Sequence, residues 1–456
     1  MQVEALVAAQ RAAQKKQPFI SYAERAAALE RLHKAIRARE KDILRALEQD
    51  LGKCEGEGFM TEVALVLDEL KTARRHLKKW MRPRRVPGSL AQLPGHGVRV
   101  PEAYGLVLIM APWNYPFQLT LSPLIGAVAA GNRCAVKPSA YAPATARVME
   151  EMLNACFDRT WVFTVQGGRA ENQALLDQRF DYIFFTGGVA VGKVVLEKAA
   201  RYVTPVTLEL GGKSPCIVDE TADIGLAARR IAFGKGLNSG QTCVAPDYAY
   251  AHRSVAEQLM AAIRDEWARS YGTDALHSAQ WPHMVTRRHF ERVRGLIDPE
   301  KVFCGGQTDE ATLRIAPTIL RNAGWDDPAM GEEIFGPVMP VMTFDRLDEV
   351  IDAVNSHEKP LALYLFTRSR EAEKRVMTQV AFGGGCVNDT LIHLATPHMP
   401  FGGVGHSGMG SYHGAWSFDT FTHYKSVLRQ KTRPDVPLRY PPFTPGKMRL
   451  MRWLFK

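Results

Sequence analysis

The sequence lacks the features of several protein classes. None of its 456 residues belongs to a run approaching the roughly eighteen apolar residues that a membrane-spanning helix requires. The first residues, MQVEALVAAQRAAQKKQ, have neither the basic head nor the apolar core of a secretory signal. No fixed-period repeat and no low-complexity tract is present. These absences predict a globular cytoplasmic protein rather than a membrane-spanning, secreted or repeat protein.

Cysteine is sparse and is never arranged as CxxC. The chain has seven cysteines, an odd number at scattered positions. This pattern argues against a disulfide framework and against a structural zinc site, so we predict a reducing compartment and no metal.

Net positive charge is concentrated at the C-terminal end. Of the formal net charge of +10, the segment from Lys425 onward carries +8, because nine cations there face only Asp435. A basic body would indicate nucleic acid as a partner, whereas a basic tail does not. The final MRLMRWLFK mixes cations with large apolar side chains. Two interpretations stay open: a solvated tail that packs a few apolar residues on the body, which we favour, or weak contact with an anionic membrane surface.

Hydrophobic periodicity predicts an α/β fold. The first eighty residues repeat apolar positions at three- and four-residue steps, with Gly52 as a stop signal. After Ala103, five short apolar runs alternate with helix-like segments, which is typical of a doubly wound parallel sheet of the nucleotide-binding type. The runs are YGLVLIMAPW, RCAVKPS, WVFTVQG, YIFFTGG and PVTLELGG.

A second alternation of strands and helices begins after Gly212 and predicts another α/β domain. Its strand-like runs are SPCIVDE, YAYAHRS, VMPVMTF, LALYLFT and GGGCVND. We expect a dinucleotide-binding domain over 1–81 and 102–209, a catalytic domain over 210–395, a small bridging β element over 82–101 and 396–430, and the basic tail over 431–456.

Glycines after one strand are the best candidates for cofactor contact. In FFTGGVAVGKVVLEKAARY, a strand meets Gly187 and Gly188, and a helix with Gly192 in its first turn follows near Val189. A tight turn there presents helix N-terminal amides to a bound dinucleotide. The single GxGxxG, at 403–408, has no strand before it and no good helix after it, so we interpret it as a loop.

One cysteine, Cys243 in GKGLNSGQTCVAP, follows a small polar turn and is our candidate nucleophile. Such a residue needs a site for the negative oxygen formed on attack and a base for the next step. Asn114 in APWNYPF is a candidate oxyanion donor, and Glu209 in PVTLELGG is a candidate base. Each has a plain alternative: Asn114 in a turn before Pro116, and Glu209 paired with Lys213.

Taken together, the motifs are far more specific than any one of them. APWNYPF, GNRCAVKPS, FFTGG, LELGGKSP, GQTC, EEIFGPV and PFGGVGHSG occur in this order over some three hundred residues. In wording and order they resemble the aldehyde dehydrogenase superfamily over nearly the entire chain. SYAERAAALERLHKAI, SFDTFTHYKSVL and RYPP are most similar to its class 3 branch, which includes fatty and aromatic aldehyde dehydrogenases.

The resemblance implies a role for each matched residue. Cys243 attacks the aldehyde, Asn114 and the Cys243 amide hold the oxyanion, and Glu209 activates the water that hydrolyses the thioester. NAD or NADP is the implied cofactor, with Lys137 at the adenosine ribose and Glu333 with Phe335 at the nicotinamide ribose. The remaining implied cofactor contacts are Trp113, Gly187, Gly188 and Gly192. Residues suggested for a substrate tunnel are Tyr115, Leu237, Thr242 and Leu391.

Further expectations follow from the same resemblance. Medium- to long-chain aliphatic or aromatic aldehydes are the expected substrates, and a homodimer is the expected assembly. Family members often read KPSE where this chain has KPSA, so Ala140 removes a carboxylate that would repel a 2′-phosphate, and we expect NADP to be tolerated. A CoA-acylating dehydrogenase and a non-redox cysteine esterase stay open as alternatives.

Overall fold

The computed structural model describes residues 2–455, and helices dominate the first eighty of them. The predicted stop is confirmed, since α3 ends at Leu51 and Gly52 follows with φ 70°. The helices are α1 (Gln2–Lys16), α2 (Tyr22–Ala38), α3 (Glu40–Leu51), α4 (Glu55–Gly58), α5 (Ala64–Trp80), α6 (Gln118–Ala130), α7 (Pro143–Cys156), α8 (Arg169–Leu176), α9 (Val189–Ala200), α10 (Ile224–Gly236), α11 (Ala256–Tyr271), α12 (Arg287–Arg294), α13 (Leu347–Asn355), α14 (Arg370–Gln379), α15 (Ala415–Thr420) and α16 (Pro445–Leu454).

The strands fall into two large sheets and two small ones. They are β1 (Arg84–Val86), β2 (His96–Ala103), β3 (Leu106–Met110), β4 (Arg133–Lys137), β5 (Val162–Thr164), β6 (Tyr182–Thr186), β7 (Val206–Glu209), β8 (Pro215–Val218), β9 (Tyr248–His252), β10 (Val302–Cys304), β11 (Thr308–Asp309), β12 (Arg314–Ile315), β13 (Thr318–Leu320), β14 (Val338–Phe344), β15 (Ala362–Phe366), β16 (Gly384–Val387), β17 (Gly408–Met409) and β18 (Thr422–Arg429).

The first large sheet has the order β17-β7-β6-β3-β4-β5, and all its pairs are parallel except β17 with β7. Both of its faces are buried, which explains the continuous apolar runs. Along β3, Val107 and Ile109 join one core cluster, whereas Leu106 and Leu108 join the cluster on the opposite face. The predicted doubly wound sheet is confirmed, and β17 is an addition that the sequence did not indicate.

The second large sheet has the order β10-β13-β14-β9-β8-β15-β16 and is parallel except at β10. It also has two buried faces: on β15, Tyr364 packs into the main core, whereas Leu363 and Leu365 pack into a separate cluster. The five predicted strands are confirmed. The carboxyl ends of β3 and β7 lead to Asn114 and Glu209, and the chain between α10 and β9 carries Cys243.

The two segments of the predicted bridging element contribute a third, antiparallel sheet of order β1-β2-β18. β18 pairs with β2 over its full length, from Thr422 opposite Ala103 to Arg429 opposite His96. After it, the basic tail ends in α16, where Trp453 is 71% exposed and the following Phe455 is 66% exposed. Over residues 2–455, no helix combines the length and the apolar character needed to cross a membrane.

Candidate active site

Cys243 follows a short helical turn, Leu237–Gly240, that continues α10 into a loop. In that turn Asn238 and Ser239 take left-handed conformations, with φ 51° and 49°, which few residues other than glycine adopt readily. Burial raises the pKa of the Cys243 thiol, and the nearby charges of Glu333 and Glu209 raise it further. The backbone N–H groups of Cys243 and Val244 act in the opposite direction. The thiol is therefore protonated at neutral pH and lies within the electrostatic reach of two carboxyl groups.

Asn114 lies in the loop between β3 and α6 and is buried. Its side-chain Nδ2 donates to the backbone oxygen of Gln241 at 3.1 Å, two residues before Cys243. Its own backbone oxygen accepts from Asn238 Nδ2 at 2.8 Å. The amide of Asn114 is thus held against the loop that carries the cysteine, where it can donate to an oxygen formed on a carbonyl bound to Cys243.

Glu209 ends β7 and is 2% exposed, with no hydrogen-bond partner on either carboxylate oxygen. Burial raises the pKa of this carboxyl well above its ordinary value. Gly402 lies so close that a Cβ there would stand 3.1 Å from Glu209 Oε1. The alternative that Glu209 pairs with Lys213 is wrong, because Lys213 Nζ donates to Asp247 Oδ2 at 2.6 Å.

An apolar cavity reaches Cys243 from the surface. All four residues suggested for the substrate tunnel line it, and Tyr115 and Thr242 share a hydrogen bond of 2.7 Å between their hydroxyl oxygens. Because transfer of hydrocarbon from water to an apolar surrounding lowers the free energy, such a lining favours an apolar ligand. Other side chains that line the cavity are Met60, Thr61, Leu65, Gln118, Leu119, Phe233, Val244, Ile392, Leu394, Ala395, Phe401, Tyr412 and His413.

The predicted cofactor residues on the first sheet lie at the ends of β4 and β6. Lys137 Nζ donates to the backbone oxygens of Pro138 and Gly167, each at 2.7 Å, and desolvation lowers its pKa to about 8. Gly188 caps α9, which begins at Val189 as predicted, and a Cβ at Gly188 would meet no atom within 4 Å. Gly192 has a different reason to be glycine, because a Cβ there would stand 2.8 Å from Leu210 Cδ2. Gly188 thus leaves space for a ligand, whereas Gly192 allows α9 to pack closely against Leu210.

A second group of predicted cofactor residues lies beside Cys243. Glu333 is half-buried, Oε1 has no partner, and desolvation raises its pKa to about 8. Phe335 takes φ 49°, a conformation that costs a non-glycine residue on the order of 1–3 kcal/mol. Its ring meets that of Trp113 edge-on, with 5.4 Å between centroids. Gly211 makes room for Glu333, since a Cβ there would stand 2.0 Å from Oε2.

Sequence reasoning missed several buried charged residues near the site. Lys53 and Glu62 are completely buried and form an ion pair of 2.7 Å between Nζ and Oε1. Lys235, in the last turn of α10, is buried and its Nζ has no partner. Nothing in the sequence marked these charges as buried: Lys53 lies between α3 and α4, Glu62 lies within Phe59–Val63, and Lys235 lies at the end of α10. Within residues 2–455, no group of three or more His, Cys, Asp or Glu side chains could hold a metal ion.

Comparison with known proteins gives consistent matches. Residues 1–427 match the family described as "Aldehyde dehydrogenase family". The chain is 46% identical over 430 residues to 4,4'-diaponeurosporen-aldehyde dehydrogenase of Staphylococcus aureus, covering 94% of each sequence. It is 44% identical to human aldehyde dehydrogenase family 3 member B1, covering 94% of this chain and 92% of the other. A solved structure titled "Substrate bound state of Staphylococcus Aureus AldH" superposes with a TM-score of 0.97 at 44% identity, covering 100% of this chain and 99% of that one.

Proposed function

This chain belongs to the aldehyde dehydrogenase family, whose members oxidise aldehydes to carboxylic acids with NAD(P), and we propose that Cys243 is its nucleophile. Several of its relatives are named as aldehyde dehydrogenase family 3 members, in line with the class 3 resemblance. The observation that carries the proposal is the position of Cys243. This residue lines the apolar cavity on one side and lies within the electrostatic reach of Glu209 and Glu333 on the other.

The proposed reaction begins with transfer of the Cys243 thiol proton to water and attack of the thiolate on the aldehyde carbon. The new C–S bond forms as the C=O π electrons move to oxygen, and Asn114 Nδ2 and the Cys243 N–H donate to that oxygen. A bound nicotinamide supplies the acceptor for the hydride that then leaves the carbon. The thioester that results stays on Cys243 until water attacks it.

Glu209 is the proposed base for the hydrolytic step. Its two unpartnered oxygens are free to accept a proton from water, and its raised pKa makes it a stronger base than an exposed carboxylate. Glu209 takes a proton from water as the water oxygen adds to the thioester carbon and the C=O π electrons move to oxygen; the carbonyl then re-forms as the C–S bond breaks, and the thiolate of Cys243 leaves with the electron pair. The products are a carboxylic acid and the original cysteine.

The residues of the predicted cofactor site fit a dinucleotide. The buried Glu333 Oε1 has no partner, Lys137 is a buried cation at the end of β4, and Gly188 leaves open space at the start of α9. We propose that Glu333 and Phe335 hold the nicotinamide ribose, that Lys137 holds the adenosine ribose, and that Gly187 to Gly192 border the remainder, with Trp113 against Phe335.

We propose that this enzyme also accepts NADP. Ala140 is exposed in the loop after β4, where it presents no carboxylate to repel a 2′-phosphate. The test compares kcat/KM and the dissociation constant, from fluorescence titration, for both cofactors. An NAD preference above about a hundredfold, roughly 2.7 kcal/mol, contradicts the proposal. The matched variant Ala140→Glu should weaken NADP binding at least tenfold more than NAD binding.

Two alternatives differ in the fate of the thioester or in the need for a cofactor. A CoA-acylating enzyme passes the acyl group to a thiol, but the buried Glu209 beside Cys243 favours water as acceptor. A non-redox cysteine esterase needs no dinucleotide, whereas this chain retains a fitting site for one. Cofactor reduction that requires aldehyde but no added CoA separates both alternatives from the proposed activity.

We propose medium- to long-chain aliphatic or aromatic aldehydes as substrates because the cavity that reaches Cys243 is lined almost entirely by apolar side chains. The test is a panel of aldehydes of increasing chain length and ring content, followed by absorbance of the reduced cofactor. We expect KM to fall as the chain lengthens. A flat or rising KM across the panel contradicts this substrate class.

The assembly and location are also proposals. We propose a cytoplasmic homodimer in which the β1-β2-β18 sheet and its neighbouring segments form the bridging element between the two α/β domains of the predicted boundaries. We propose weak contact of α16 with anionic membranes, because Trp453 and Phe455 are exposed beside Arg449 and Arg452. Sedimentation of the whole protein tests the homodimer, and co-sedimentation with anionic vesicles tests the membrane contact of α16.

A further inference from the structure

One buried ion pair of the N-terminal helical segment, Lys53 with Glu62, contacts the loop that carries Asn114. Lys53 lies between α3 and α4, and Glu62 lies in a π-helical turn, Phe59–Val63, between α4 and α5. Neither side chain is exposed, and Nζ and Oε1 are 2.7 Å apart. π-helical turns are rare and occur frequently at functional sites.

Lys53 contacts the middle of the loop between β3 and α6. Its Nζ donates to the backbone oxygen of Asn114 at 2.8 Å and lies 3.8 Å from the centroid of the Tyr115 ring. Together with the bond to Glu62, these contacts use the donors of the ammonium group on three different partners. Lys53 therefore fixes the backbone of the residue whose side chain is the proposed oxyanion donor.

Glu62 contacts the C-terminal end of the same loop. Its Oε2 accepts from the backbone N–H groups of Phe117 at 3.0 Å and Gln118 at 2.9 Å, where α6 begins. These donors belong to the first turn of a helix, where a carboxylate is favourable. The ion pair therefore contacts the loop at Asn114 and again at residues 117–118, where α6 begins.

A second carboxyl group, that of Glu57, supports Asn114 through Asn238. Glu57 Oε1 accepts from the backbone N–H of Asn238 at 2.7 Å. Asn238 in turn donates through Nδ2 to the backbone oxygens of Asn114, at 2.8 Å, and of Gln241, at 3.1 Å. The left-handed turn before Cys243 and the loop of Asn114 are thus joined through one side chain.

We propose that Lys53 and Glu62 are positioning residues that fix the amide of Asn114 relative to Cys243. The inference rests on the proposed function, because it needs Asn114 to act on the oxyanion. A buried ion pair is a poor source of stability, since desolvation offsets much of its attraction. The gain of this pair is instead geometric: an oxyanion donor is effective only when it is already aimed at the oxygen.

The test compares one double substitution in two backgrounds. Lys53→Met with Glu62→Gln removes both charges, so neither is left buried alone, and the amide that replaces the carboxylate retains an acceptor for the α6 N–H groups. We expect kcat/KM for aldehyde to fall about 10- to 100-fold, a part of what loss of an oxyanion donor costs. In the Asn114→Ala background we expect less than about a threefold further loss, because residues that act through one group are not additive.

Asp50 offers a matched control. It is a buried carboxylate that accepts from Ala144 N, at 3.1 Å, and Thr145 N, at 2.8 Å, at the start of α7, away from the cysteine. Asp50→Asn should lower the melting temperature and change kcat/KM less than about twofold. The NAD dissociation constant should stay within about twofold in every variant.

Two results overturn the positioning role. One is a folded double variant whose kcat/KM stays within twofold of the parent. The other is an equal loss in both backgrounds, which shows that the pair acts independently of Asn114. If Asn114→Ala alone is not slow, the proposed function fails at Asn114 and the positioning role fails with it. If the double variant does not fold, Lys53→Met alone carries the same comparison, because the Glu62 carboxylate keeps its two backbone N–H donors.

Discussion

Asn114 donates its side-chain amide to the backbone oxygen of Gln241 at 3.1 Å, so the proposed oxyanion donor and the loop of the proposed nucleophile share a hydrogen bond. This bond must yield or be shared when an oxyanion forms beside Cys243. Asn114→Ala removes the donor and leaves the thiol in place. We expect kcat/KM to fall about a hundred- to thousandfold, measured by cofactor reduction under limiting aldehyde.

Asn132 is the control for that substitution. It is another buried asparagine, and it accepts from Gly105 N at 3.0 Å and donates to Phe421 O at 2.9 Å, away from Cys243. Asn132→Ala should reduce stability without a comparable loss of rate per folded molecule. Equal rate losses in the two variants would show that Asn114 has only a structural role.

Glu209→Gln should separate the two halves of the reaction. The first hydride transfer does not need the base, so a burst of reduced cofactor close to one per active site should remain, while steady turnover falls at least a hundredfold. Stopped-flow absorbance measures both. A normal steady state in this variant contradicts the role of Glu209.

The same carboxyl group sets a pH dependence. Burial raises its pKa well above its ordinary value, and only the deprotonated form accepts a proton from water. Thioester hydrolysis should therefore accelerate as pH rises through the raised pKa of Glu209, and this rising limb should disappear in Glu209→Gln. A limb that persists unchanged in the variant assigns the titration to another group.

Gly211→Ala tests the proposed cofactor contact of Glu333. A Cβ at Gly211 would stand 2.0 Å from Glu333 Oε2, so the carboxylate must move away from its position. We expect the NAD dissociation constant to rise at least tenfold by fluorescence titration, about 1.4 kcal/mol. Gly225→Ala is the control, because a Cβ there meets nothing closer than Asp223 Oδ1 at 3.8 Å. Unchanged NAD binding in Gly211→Ala counts against a role for Glu333.

We expect Lys235 to affect the free energy of unfolding rather than the rate of aldehyde oxidation. Its Nζ is buried without a partner, and desolvation lowers its pKa from 10.5 to about 8. The unfolded chain therefore binds more protons than the folded protein between these pKa values, and this group makes stability rise with pH from about 8 toward 10.5. Well below pH 8 Lys235 is charged in both the folded and the unfolded state, and its burial then lowers the free energy of unfolding by about 3 kcal/mol.

Lys235→Met should remove that penalty. We expect a higher free energy of unfolding in urea at pH 7 and a smaller advantage over the parent as pH approaches 10. The exposed Lys193→Met is the matched control and should change neither quantity appreciably. A less stable Lys235→Met protein would show that the ammonium has a stabilising partner.

The sheets could be predicted because their signals are local. Runs such as LVLIM are apolar at every position, which fits a strand buried on both faces, and each predicted run became a strand. The short β17 could not be predicted in this way, because two residues, Gly408 and Met409, have no period of their own. They pair with β7 through tertiary contacts alone.

The contacts of the candidate site were less predictable than its residues. The motifs pointed to Cys243, Asn114 and Glu209, since each lies where a loop follows a regular element. Lys53 also follows a helix, but its role could not be predicted, because its partners Glu62 and Asn114 are 9 and 61 residues away along the chain. A buried charge is recognisable as paired only when the fold has brought its partner to it.

The most direct test of the account is the mass of the peptide that contains Cys243 after Glu209→Gln protein has reacted with aldehyde and NAD. We predict an acyl adduct on Cys243, with the mass of the aldehyde less one hydrogen atom replacing the thiol hydrogen, and its absence when NAD is omitted. No adduct despite a burst of reduced cofactor, or an adduct on any of the other six cysteines instead, would contradict the proposed chemistry.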